Sequence, residues 1–142
     1  MLEAKMDLWD PLWDIRCITT NGYVKSNGAC VMGRGVALQA KNKYPGIATD
    51  LGRLIKLHGN HVFLLYAYDI VSFPVKNNWY EKGDLELIKR SAEELMSLLE
   101  VTPEIELVAL PRPGCGNGKL SWEVVKPKIE NILDDRVTIV YQ

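Results

Sequence analysis

Three stretches of the chain carry residue types that do chemistry together. VMGRGVALQ, Val31 to Gln39, sets Gly33 and Gly35 directly before a helix-forming run. PRPGCGNGKLSW, Pro111 to Trp122, repeats the device with Gly114, Gly116 and Gly118. SFPVKNNW, Ser72 to Trp79, holds Lys76 in a segment that leads out of an apolar run. Glycine is costly in ordered structure unless the backbone takes a positive φ or comes close to something. A glycine turn that opens a helix presents free N–H groups at the positive end of the helix dipole, an arrangement that binds anions and most often phosphate. Two such turns converging on one crevice suit a diphosphate. The alternative is a pair of tight connections whose glycines serve the turn alone.

Two familiar phosphate loops are excluded by spacing. Gly28-Ala-Cys-Val-Met-Gly33 has the GxxxxG part of a P-loop, but Arg34-Gly35 stands where Lys and a Mg²⁺-binding hydroxyl are required. Gly114-Cys-Gly116-Asn-Gly118 runs GxGxG, and Lys119 occupies the last position of the dinucleotide-binding GxGxxG. NTP hydrolysis and nicotinamide chemistry are thus disfavoured. Cys115, between two glycines at a helix start, reads either as a thiol of lowered pKa or as a small residue that fits the turn, and the second is favoured. His58 and His61 flank Gly59-Asn60 without a second ligand pair, so no metal site is expected, and no cofactor is implied.

Composition bounds the partners. The chain has 142 residues, is 47% hydrophobic and carries a net charge of −1, so any phosphate recognition must be local. One domain, 1–142, is expected, large enough for a sizeable core and able to exist as a monomer. Its three cysteines show no pairing pattern, which points to a reducing, cytoplasmic setting. No apolar run is long enough for a membrane span, and the N-terminus lacks a signal-peptide pattern.

The elements that must position these residues alternate. Ile15 to Thr20 is a β-branched run expected as a strand, followed by a polar loop with two Asn-Gly steps. Gly35 to Tyr44 and about Ile47 to Leu57 read as helices separated by Pro45-Gly46. His61 to Phe73 is a continuous apolar run, expected as two strands or one bent strand buried on both faces. After the loop Pro74 to Gly83, Asp84 caps a helix to about Glu100. Ile105 to Leu110 is a strand, Ser121 begins a helix to about Asp134 that contains Pro127, and Arg136 to Tyr141 is a terminal strand. Trp122 and Val125 are expected to pack the last helix on the sheet, and Trp9 and Trp13 to cover a core edge. The alternation gives an α/β domain with an at least partly parallel sheet, and both glycine turns fall after strands, where ligands of such sheets lie.

In this order of strand, Asn loop, MGRGVALQ, helix, FPVKNNW, strand, PRPGCGNGKLSW and strand, the chain resembles a macrodomain over roughly Asp7 to Tyr141. It looks closest to the branch containing antitoxins that remove ADP-ribose from DNA and the human terminal ADP-ribose glycohydrolase. The resemblance implies a single three-layer α/β/α fold with a mixed central sheet, and a pocket for ADP-ribose or an ADP-ribosylated nucleic acid or protein. It implies that Asp7 accepts from the adenine amino group, with Met6 standing where the family has glycine, that Leu8 contacts the ADP-ribose, and that Tyr141 lies near the adenine edge. It implies a first diphosphate loop at Gly33, Arg34, Gly35 and Val36, although Arg34 also suits a solvent-facing position. The second diphosphate loop would be Pro113, Gly114, Cys115, Gly116, Asn117 and Gly118. Asn21 would sit beside the distal ribose, and Lys76 would act at its anomeric carbon. Gly118 stands where the human glycohydrolase has aspartate. The functions implied are hydrolysis of an ADP-ribosyl bond, phosphate removal from ADP-ribose 1″-phosphate, or binding of ADP-ribose without turnover.

Overall fold

Every residue from Met1 to Gln142 is described by the structure, a computed structural model. In chain order the elements are β1 (Leu2–Lys5), β2 (Ile15–Thr20), α1 (Gly35–Lys43), α2 (Ile47–His58), β3 (Phe63–Leu65), β4 (Ile70–Pro74), α3 (Leu85–Val101), β5 (Val108–Pro111), α4 (Trp122–Ile129) and β6 (Val137–Tyr141). The strands form one sheet in the order β1-β6-β5-β2-β4-β3. Only the β3–β4 pair is antiparallel. No helix is long and apolar enough to cross a membrane.

Period-two alternation sorts the strand side chains onto two faces. Cys17, Val71, Phe73, Val108, Leu110, Val137 and Ile139 meet Ile88, Ala92, Leu95 and Leu99 of α3 and Val125 and Ile129 of α4. Ile18 and Ile70 point the other way, into Ala37 and Ala40 of α1 and Ile47, Ala48, Leu51 and Ile55 of α2. Ala109 and Val140 share that second face with Leu8 and Trp13 from the segment after β1. The result is the expected α/β/α sandwich with a mixed, mostly parallel sheet. Trp13, Trp122 and Val125 pack as the sequence suggests.

The apolar run from His61 forms two strands, one of the two expected readings, whereas the start of β5 and the end of α4 differ from expectation. The apolar run from His61 divides at a 3-10 turn, Tyr66–Tyr68, closed by Asp69 in the left-handed region at φ 53°. β4 beyond it is buried throughout, whereas β3 is a half-buried edge strand. Residues 105–107 precede β5 instead of belonging to it, because Asp14 Oδ2 accepts from the amides of Glu106 and Leu107 and turns the chain there. α4 stops at Ile129, short of Asp134. β1 has no apolar alternation and is mostly exposed; it is held by its parallel register with β6, Leu2 to Thr138 through Lys5 to Tyr141.

The loop carrying Lys76 is closed at its base. Val75 donates its amide to Thr20 O at 3.0 Å, and Asp84 donates to Val75 O at 2.8 Å. The Asp84 carboxylate then caps α3, accepting from Glu86 N at 3.0 Å and Leu87 N at 3.2 Å. One aspartate therefore starts a helix and anchors a loop. Asp84→Ala should cost about 1 kcal/mol in chemical denaturation, the usual value of an N-cap; an unchanged midpoint would show the cap to be dispensable.

Candidate functional site

A cavity of about 740 Å³ lies beyond the carboxyl ends of β2, β4 and β5. Its walls come from three connections: Thr19–Asn21 with Val31–Ala37, Val75–Lys76 with Trp79–Lys82, and Pro111–Arg112 with Gly114 and Gly116–Lys119. That volume lies in the range of sites that hold a cofactor-sized ligand.

The first glycine turn is built from a side chain upward. Asn21 is only 8% exposed. Its Nδ2 donates to Val31 O at 3.0 Å and its Oδ1 accepts from Tyr23 N at 2.9 Å, which ties the Asn-Gly loop to the segment entering the turn. Gly35 then takes φ 58°, the left-handed value that a β-carbon disfavours. Arg34, the N-cap, is extended and contributes no side-chain cap, and the first turn of α1 has no acid. The first amides of a helix have no intrahelical acceptor, so those of Gly35, Val36 and Ala37 open into the cavity wall.

The second turn satisfies itself in part. Leu120 N donates to Gly114 O at 2.9 Å, Lys119 N to Gly116 O at 3.0 Å, and Gly83 N to Gly118 O at 2.8 Å. The amides of Gly116, Asn117 and Gly118 donate to no protein group. The two turns also meet: Asn117 Nδ2 lies 3.1 Å from where a β-carbon on residue 35 would sit. At position 118 a β-carbon would lie 2.6 Å from Gly114 O and 2.9 Å from Gly114 Cα. An acid in place of Gly118 therefore requires the turn itself to shift.

Charge is concentrated here. Arg34, Lys76, Lys82, Arg112 and Lys119 line the cavity against one carboxylate, Glu81, in a chain whose net charge is −1. Burial lowers the pKa of Lys76, and the cations Arg34 and Lys119 lower it further, with Glu81 opposing. The direction populates the free amine at lower pH than for an ordinary lysine.

Of the residues expected at the site, Asn21, Gly33, Arg34, Gly35, Val36, Lys76, Gly114, Gly116, Asn117 and Gly118 line this one cavity. Arg34, which also suited a solvent-facing position, is exposed and belongs to the wall. Asp7, Leu8, Pro113, Cys115 and Tyr141 do not line it. Leu8 is core, 6% exposed against Trp13, Ala109 and Val140, and Pro113 is buried. Burial raises the Cys115 thiol instead of lowering it, so the turn-fitting reading stands. Asp7 is exposed, its Oδ1 taken by Trp9 N at 3.0 Å. It and Tyr141 lie side by side at the ends of β1 and β6, joined by Met6 N to Tyr141 O at 3.1 Å. The Tyr141 ring lies 4.3 Å from the Arg112 guanidinium, which connects this flank to the cavity.

Sequence reasoning missed Trp79, Tyr80, Glu81 and Lys82, which lie on the cavity side of the Lys76 loop, together with Arg112 and Lys119. The signal was present for the loop: two adjacent aromatics within a run that offers no apolar periodicity have no core to join.

Comparison with known proteins defines the class. No protein-family model matches the chain. The macrodomain of Mycobacterium tuberculosis DarG superposes with a TM-score of 0.82 at 27% identity, covering 99% of this chain and 95% of that one. The DNA ADP-ribosyl glycohydrolase of Mycobacterium tuberculosis is 32% identical over 110 residues, 70% of this chain and 30% of its own length. An ADP-ribose glycohydrolase of Homo sapiens is 26% identical over 113 residues, 74% of this chain and 68% of its own length. The fold is that of a macrodomain. Within that class the chain resembles the macrodomains of DNA ADP-ribosyl glycohydrolases, and it spans about a third of the length of the first curated relatives it matches.

The two central glycines of the second turn should respond differently to a methyl group. Gly118→Ala should lose about 1–3 kcal/mol in denaturant titration, the usual cost of overpacking. Gly116→Ala, with open space around its β-carbon position, should stay within about 0.5 kcal/mol of wild type. Equal losses would contradict this account of the turn.

Proposed function

We propose that the cavity binds ADP-ribose and that the protein hydrolyses the bond joining ADP-ribose to a modified macromolecule, with Lys76 acting at the anomeric carbon of the distal ribose. The observation that carries the reading is the meeting of two glycine turns, with unpartnered amides on both, at a cavity that also holds Lys76. A diphosphate between the turns takes hydrogen bonds from amides that have no protein acceptor, and needs no metal to offset its charge. Its distal ribose then points to Asn21 and Lys76, and its adenosine half to the flank formed by Asp7, Tyr141 and Arg112. The names of the relatives, DNA ADP-ribosyl glycohydrolase and ADP-ribose glycohydrolase, support the same chemistry.

Hydrolysis through Lys76 balances simply. The free amine attacks the anomeric carbon, the C–N bond forms, and the bond to the modified group breaks with its electron pair leaving on that group, which takes a proton. Water then replaces the amine, releasing ADP-ribose and restoring Lys76. The cations beside Lys76 favour the free amine this step requires. The protein acts as a monomer in the cytoplasm on this reading, in keeping with three cysteines that form no disulfide.

The released group is a nucleobase in nucleic acid. Trp79 and Tyr80 are 50% and 66% exposed, edge-to-face at 5.4 Å, and line the cavity on the loop of Lys76. Exposed aromatics beside Lys82 and Lys119 supply a stacking surface for bases and charge for a phosphate backbone.

ADP-ribosylated DNA incubated with wild type should release ADP-ribose, while Lys76→Ala should release at least a hundredfold less and still bind ADP-ribose in calorimetry. Binding without release in both would make the protein a reader, phosphate release from ADP-ribose 1″-phosphate alone would make it a phosphatase, and no binding would remove the ligand. The kcat–pH profile should rise through a midpoint below the ordinary lysine value of about 10.4. Arg34→Ala removes a repelling cation, so the Lys76 pKa climbs and the rising limb moves to higher pH; a shift to lower pH would contradict the free-amine role. Trp79→Ala with Tyr80→Ala should raise KM about tenfold for the nucleic-acid substrate, and a larger effect on ADP-ribosylated protein would reverse the substrate assignment.

A further inference from the structure

Asn60 lies outside the cavity, yet it touches both segments that deliver the residues acting on the ribose. It follows α2 and is held from behind by α3: the Arg90 guanidinium donates to Asn60 O, and Arg90 Nε pairs with Glu94 Oε2 at 3.3 Å. Glu94 also accepts from His61 Nδ1 at 2.8 Å and Val62 N at 2.9 Å, fixing the residues that follow Asn60. From this anchored backbone, Asn60 Nδ2 donates to Lys76 O at 3.1 Å and to Asn77 Oδ1 at 3.1 Å.

The other side of the amide fills the space above Gly22. A β-carbon on residue 22 would lie 2.7 Å from Asn60 Cγ, 2.8 Å from Nδ2 and 2.9 Å from Cβ. Gly22 carries no positive φ, so its lack of a side chain serves this approach and not the backbone conformation. Gly22 N in turn donates to Asn77 O at 3.0 Å. Asn60 is thus wedged between the residue after Asn21 and the peptide of Lys76. Its Oδ1 is buried and unpartnered, a cost that stability alone gives no reason to accept.

We propose that Asn60 is a positioning residue that sets the direction of the Lys76 side chain and its spacing from Asn21. The proposal rests on the assignment of Lys76 to the reaction. Asn60 acts through the Lys76 carbonyl: with that carbonyl held, the peptide cannot rotate and Nζ stays aimed at the ribose between Arg34 and Lys119. Without the hold, ADP-ribose still finds both glycine turns, but the amine is misaimed.

The test is a double-mutant cycle between Asn60→Ala and Gly22→Ala, with the isosteric Asn60→Asp as a variant that keeps shape and loses the donor. Each single change should lower kcat on the substrate about tenfold and leave ADP-ribose affinity by calorimetry within twofold. Each should also move the rising limb of the kcat–pH profile, because Nζ leaves the field of Arg34 and Lys119. In the Asn60→Ala background, Gly22→Ala should have no further effect, since the methyl occupies vacated space. Wild-type kcat in Asn60→Asp, an unmoved pH limb, or independent losses in the double variant would each overturn the proposal. An inactive wild type would instead sink the assignment of Lys76, and the two failures are therefore distinct.

Discussion

The parallel pairing of β2 with β4 does not stop at the strand ends, and the site depends on that continuation. The register runs from Arg16 opposite Ile70 to Thr20 opposite Pro74. It is carried forward by Val75 N to Thr20 O and Gly22 N to Asn77 O. These two bonds bracket Asn21 beyond one strand and Lys76 beyond the other. Neighbouring strands sit about 4.8 Å apart, so the ladder itself holds the two residues side by side without a dedicated interaction between them. Parallel strands need crossover connections, and the crossover between β2 and β4 carries α1 and α2. The first glycine turn therefore lies at the same edge by topology.

Electrostatics and backbone geometry divide the work at that edge. The glycine turns supply N–H groups whose direction is fixed by the fold, so they cost no reorganisation when an anion arrives. The cations do something different. Arg34 and Lys119 are exposed, and screening limits their reach to about 8 Å at physiological ionic strength; they favour an anionic ligand and set the field at Lys76. Local charge can therefore be strongly positive in a chain that is slightly acidic overall, which is why net charge excluded so little.

Most of the fold was legible because burial writes it in period. β4 and β6 are almost wholly buried, and their β-branched runs read as strands; the apolar stripe of α3, Leu85, Ile88, Ala92, Leu95 and Leu99, reads as a helix. β1 was not legible from its residues, since LEAK has no buried face and is held by pairing with β6 and by Glu3, which meets Lys126 and Trp122. The first and last residues of elements depended on side chains that reach across the fold, such as Asp14 turning Glu106 and Leu107 out of β5. At the site, glycines and Lys76 announce themselves by type. Asn60 does not: in the sequence it belongs to a turn, and its partners are a carbonyl and a glycine that only folding brings near. The aromatic pair Trp79 and Tyr80 gave a signal of another kind, an apolar presence in a loop with no core to enter.

Gly118 separates the binding task from the chemical one. A side chain there collides with Gly114 O and Cα, both part of the turn that directs amides into the cavity. Any acid placed at 118 would open the turn and with it the anion site, so this chain keeps the turn closed and carries no acid on it. The single carboxylate in the cavity, Glu81, instead sits on the loop of Lys76, held by Asn78 Nδ2 at 2.6 Å. Lys76 and Glu81 thus belong to one loop, tied at its base by Val75 and Asp84 and supported from behind by Asn60. The unpartnered amides proposed to hold a diphosphate belong to two other loops and do not titrate, although Arg34, Arg112 and Lys119 stand beside them. Binding should therefore be insensitive to pH over a range where turnover is not, a consequence of binding through backbone amides and of turnover through the amine of Lys76.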